Sequence, residues 1–128
     1  MSSDEVLDPA AIAELRRAQD QLGSSTLISQ LVEIFRQNAP RRMDEMREAL
    51  AAGDAAALER AAHTLKTSCG MFGAARMAAC CANLEAAAAR ADLQAAAALC
   101  AEAEHEFPGV LEAVTALGTR DSGLGTRK

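Results

Sequence analysis

The chain has no tryptophan or tyrosine and only three phenylalanines. With so few large aromatics, its 128 residues must build a core mostly from aliphatic side chains and close backbone approach. Alanine supplies about a quarter of the chain, a composition typical of tightly packed helices. Strands are not expected, and the length suits one small domain that must bury most of its apolar positions. Long hydrophobic runs are also missing. No apolar segment approaches the ~20 residues that span a bilayer, and the Met-Ser-Ser-Asp-Glu start lacks the basic and apolar stretches of a signal peptide. A cytoplasmic protein with no membrane partner is therefore expected. Positive charge is in deficit, with 13 Lys+Arg against 18 Asp+Glu, a net charge of -5 and a pI near 5.0. That balance argues against a phosphate-backbone binder, so no nucleic-acid partner is expected.

The four cysteines, Cys69, Cys80, Cys81 and Cys100, contain no Cys-x-x-Cys pair. Cys80 and Cys81 are adjacent, and adjacent helical residues point about 100° apart, so they do not converge on a metal. Buried free thiols in a reducing compartment account for all four.

What is present is helical periodicity. Asp8-Pro9 opens a short helix to about Gln21, and Gly23-Ser24-Ser25 breaks it and offers an N-cap for a longer one. In that second helix Ile28, Leu31, Phe35, Met43, Met46 and Leu50 form a three-and-four stripe, with Pro40 expected to kink the helix rather than end it. Gly53-Asp54 closes it and caps a third helix, about 54–70, whose core face is Leu58, Ala62, Leu65 and Cys69. A fourth, about 74–90, repeats the pattern with Met77, Cys81, Leu84 and Ala88, with Glu85 at the edge. The last begins near Asp92 and runs to Leu117, bent at Pro108. Residues 1–22 thus form an N-terminal segment with a short helix, 23–118 a bundle, and 119–128, lacking an apolar stripe, a disordered tail.

His63 falls about 130° from the centre of the third helix's core stripe, on the wet side, with Glu59, Thr67 and Gly70 around it and Lys66 on the flank. Helices joined by a turn as short as that near Met71-Phe72-Gly73 pack antiparallel, which pairs His63 with Glu85 to within about one helical turn. His105 has no such context and reads as a surface residue.

His63, Leu65, Lys66 and Ser68, then Gly73-Ala74, Cys81 and Leu84-Glu85, keep every spacing of a known signature, with Ala39-Pro40 and Gly53-Asp54 in register. In these residues the chain resembles the histidine-containing phosphotransfer (HPt) domains of two-component phosphorelays, and the match spans most of its length. The resemblance implies an all-α, antiparallel four-helix bundle with a short additional N-terminal helix. It implies that His63 accepts a phosphoryl group from a receiver-domain aspartyl phosphate and passes it to another receiver. Glu85 would accept a hydrogen bond from Nδ1 and leave Nε2 free, and Lys66 would neutralise charge on the phosphoryl oxygens. The implied partners are the receiver domains of response regulators and of a hybrid sensor kinase, met by a monomer. No cofactor is expected in this chain, because magnesium would come with the receiver, and a carrier of this kind has no turnover of its own.

Around His63, Arg60, Lys66 and Arg76 are expected to give a locally basic rim facing the receiver's acidic cluster. Glu59 belongs to the same face, and Gly70 and Gly73 are expected to keep the neighbouring surface low. Thr67 stands where the family usually has glycine, so it is expected to narrow the partner set or slow transfer. Cys69, in place of the usual serine, lies on the core stripe and is a milder change. Two other classes remain open: a non-phosphorylated module that docks or sequesters a receiver, and a helical adaptor with no receiver partner. A self-contained active site is not expected, since no second histidine, exposed nucleophile or acid pair converges with His63.

Overall fold

The computed structural model describes residues 6–126, with side chains described through Arg120. Five helices follow one another: α1 (Pro9–Gln21), α2 (Leu27–Ala52), α3 (Ala55–Met71), α4 (Ala75–Ala89) and α5 (Leu93–Thr126). Around the bundle, α2 packs on α3, α3 on α4, α4 on α5 and α5 back on α2, the closed ring that short connections between antiparallel neighbours produce. α1 lies outside this ring and contributes no fully buried residue.

The helix ends show why the chain turns where it does. Asp8 caps α1 by accepting from the Ala10 N–H at 2.9 Å, with Pro9 in the first turn, where no amide donor is needed. Asp54 does the same for α3 and Asp92 for α5, accepting from Ala57 and Ala95 at 3.1 Å each. Gly53 ends α2 at φ 71°, a left-handed conformation that glycine adopts without steric cost. The start of α2 departs from expectation. Its N-cap is Thr26, whose side chain makes no cap bond, and Ser24 turns back to accept from the Thr26 N–H at 3.1 Å. The open donor at Ile28 goes to Gln19 Oε1 of α1 at 2.9 Å, so a neighbouring helix supplies the cap.

Every member of the expected α3 and α4 stripes is buried, and so are Ala96, Cys100, Ala103, Phe107, Val110, Val114 and Leu117 of α5. On α2, Ile28, Phe35, Met43 and Met46 are buried with Val32, Ala39 and Ala49, whereas Leu31 and Leu50 only flank the core. The three phenylalanines gather at one end of the bundle. Phe72, closing α3, stands edge-on to Phe35 with centroids 5.4 Å apart, and Phe107 lies 6.4 Å from Phe35. All four cysteines are free and buried. Burial pushes the Cys69 thiol up to about 12 and, with Glu102 beside it, the Cys80 thiol up to about 11.

α2 runs through Pro40 and α5 through Pro108 without ending. α5 also continues past Leu117 to Thr126, where a disordered tail was expected from 119; residues 127–128 lie outside the described residues. Extension costs little once a helix is nucleated, and no proline follows Leu117 to stop it. Gly118 lets α5 close on α2, since a Cβ there would come within 2.6 Å of Val32.

Candidate functional site

His63 is carried in the middle of α3 between the fully buried Ala62 and Leu65, which hold the helix face against the core. Its imidazole is directed outward and is 59% exposed. Across the α3–α4 interface, Glu85 Oε2 lies 2.9 Å from His63 Nδ1, and Lys66 Nζ lies 2.8 Å from Glu85 Oε1. Both oxygens of the carboxylate are therefore engaged. Hydrogen bonds from Lys66 and then from His63 hold the Glu85 carboxyl below its usual range, so it is ionised and can only accept. That assigns the hydrogen of a neutral His63 ring to Nδ1 and leaves the lone pair on Nε2.

The structure brings His63, Lys66 and Glu85 together, with Thr67 and Gly70 on the next turns of the exposed face. The Thr67 hydroxyl donates to the His63 backbone carbonyl at 3.2 Å, so its proton is spent within the helix while the side chain stays exposed beside the imidazole. Gly70 has open space where a Cβ would stand. Glu59 is half-buried one turn before the histidine, and Arg60 is exposed.

Other expected members are elsewhere. Arg76 is nine residues before Glu85, about 180° around α4, and pairs with Glu106 of α5 at 3.3 Å. Arg60 lines a shallow groove between α2 and α3 that also holds Glu45, Glu48 and Asp54. Lys66 is engaged by Glu85. No basic rim is assembled, because each of these cations has acidic neighbours. Gly73 is not a low point of the His63 face either. It sits in the α3–α4 turn at φ 74°, its carbonyl accepts from the Asp8 N–H at 2.8 Å, and a Cβ would stand 2.7 Å from that of Ala11. Its glycine is required by the N-terminal segment packed over it.

The pairing of Lys66 with Glu85 is the feature that sequence reasoning missed. The wheel carried only half of the signal: both residues lie about 70° from the centres of their core stripes, on the flanks that face each other across α3 and α4, but it does not give the reach of their terminal atoms. Among the described residues, no three His, Cys, Asp or Glu side chains are grouped to hold a metal ion, and no helix is long and apolar enough to cross a membrane.

Fold and site together define a class: a helical bundle that displays an exposed imidazole on one helix, oriented by a carboxylate on the neighbouring helix. The chain belongs to the Hpt domain family, whose model matches residues 30–118. Among solved structures it is similar to histidine-containing phosphotransfer protein B (HptB) from Pseudomonas aeruginosa PAO1, with 31% sequence identity and a TM-score of 0.79. That similarity covers 90% of this chain and 96% of the other. No curated protein gives a significant match.

Proposed function

We infer that the protein is a phosphoryl carrier of two-component signalling, with His63 as the phosphorylated residue. The observation that carries this reading is the 2.9 Å contact of Nδ1 with an ionised Glu85, on a ring whose other nitrogen is the nucleophile. In the accepting step, the Nε2 lone pair forms a bond to phosphorus. The bond from phosphorus to the aspartyl oxygen of the receiver breaks, and its electron pair stays on the receiver's carboxylate. The hydrogen remains on Nδ1, and the positive charge gained by the ring develops beside Glu85, which orients the imidazole and stabilises that charge. The reverse sequence delivers the group to a second receiver.

The receivers of a response regulator and of a hybrid kinase are the partners this chemistry requires, and the metal ion and acidic cluster belong to them. The carrier acts as a monomer in the cytoplasm and has no turnover alone. The protein should take acid-labile label from a phosphorylated receiver, and His63→Gln should take none. Label retained by the variant would remove His63 from the role. Receiver binding by wild type with no label would identify a docking module instead.

A further inference from the structure

Glu85 is held at two points, and the second point is Lys66. A carboxylate on a three-torsion side chain, only partly covered, has considerable rotamer freedom, and one hydrogen bond to a mobile imidazole is a weak restraint on it. Here Oε1 is bound by the Lys66 ammonium at 2.8 Å, which leaves Oε2 to face Nδ1 at 2.9 Å. Lys66 and His63 are three residues apart on one helix, so a single turn of α3 presents both donors to one acceptor on α4. The ammonium has three donors, and one engages Glu85.

We propose that, in the unphosphorylated protein, Lys66 is a positioning residue that acts through Glu85: it aims the carboxylate at Nδ1 and so holds His63 in the tautomer whose Nε2 can attack. This rests on His63 being the phosphoryl carrier for its rate consequence, but not for its effect on the ring. The tautomer is set by whatever the other nitrogen bonds to. Lys66 does not touch the imidazole, so loss of its charge should reach the ring only by way of Glu85.

The test reads the ring directly. In the full chain labelled with 15N-histidine, at a pH where the imidazole is neutral, the ring nitrogen shifts report the share of Nδ1–H and Nε2–H forms. Lys66→Met should lower the Nδ1–H to Nε2–H ratio of His63 by roughly two- to five-fold, the scale of an exposed ion pair. Lys66→Arg should restore most of it. In a Glu85→Ala background, Lys66→Met should change the ratio no further. Label acceptance from a phosphorylated receiver should fall with the ratio across the series. Unchanged ring shifts in Lys66→Met, or an undiminished effect in the Glu85→Ala background, would overturn the proposal. Thermal unfolding of each variant separates these outcomes from loss of fold. Absence of label in wild type would strike the phosphoryl-carrier reading, while the tautomer ratio would still decide the role of Lys66 by itself.

Discussion

At the scale of residues, the site is a short chain of charges with Glu85 at its centre. Lys66, and then His63, hold its carboxyl below the ordinary glutamate value of 4.5. A carboxyl depressed in the folded state contributes stability that is complete above the unfolded value and is lost as pH falls through the folded one. The contribution of Glu85 should therefore be level from pH 7 to about 5 and disappear only below about 4.5. Its size should be about 1 kcal/mol or less, since the groups are only partly covered. The measurement is the difference in denaturant stability between His63→Gln and His63→Gln/Glu85→Gln, a background in which the imidazole cannot titrate. A difference that grows as pH falls would show that the carboxyl is not stabilised by Lys66. The position of His63 was legible in the sequence because a three-and-four stripe leaves its opposite face unambiguous. The sharing of Glu85 was not, because a helical wheel gives the flank of a long side chain but not the reach of its terminal atom.

At the scale of elements, helix boundaries were readable wherever a local residue sets them. Asp8-Pro9, Gly53-Asp54 and Asp92 all stand at observed ends. The start of α2 was not readable, because its cap comes from Gln19 on another helix. The end of α4 was placed to within a residue, but its turn was not readable: Ala91 takes φ 57° so that the Asp92 N–H can reach the Ala87 carbonyl at 2.9 Å. A glycine would have announced that turn, and alanine hides it. Two left-handed positions should therefore respond in opposite directions. Ala91 is exposed, so Ala91→Gly removes an unfavourable Cβ contact and should stabilise by roughly 0.5–1 kcal/mol after the entropy of the added glycine is counted. Gly73→Ala adds that contact and drives a methyl into Asp8 and Ala11, and should destabilise by about 2 kcal/mol or more. Urea unfolding of both variants checks the pair, and equal signs would contradict the turn geometry.

For the whole molecule, the composition that excluded strands also decides how the bundle resists chemistry from outside. With three phenylalanines packed at one end, the rest of the interior is filled by alanine, aliphatic side chains and the four thiols. Burial leaves Cys69 at about 12 and Cys80 at about 11, and it raises Cys81 and Cys100 as well. At pH 8 a free thiol near 8.5 is about a quarter ionised, while a group at 11 is ionised to about one part in a thousand. Alkylation by iodoacetamide should thus be at least about a hundred-fold slower in the native protein than in guanidinium for Cys69, Cys80 and Cys81, and slowed at Cys100 as well. Cys80, the least buried of the four at 6% exposure, with its thiol beside Glu102 and donating to the Leu99 carbonyl at 3.3 Å, should react first. Peptide mass analysis after timed labelling gives the order. Rapid native labelling of Cys69 or Cys81 would mean that α3 and α4 separate on that timescale. Because the same interface holds Glu85 against His63, such opening should lower the Nδ1–H share of His63 in step with it.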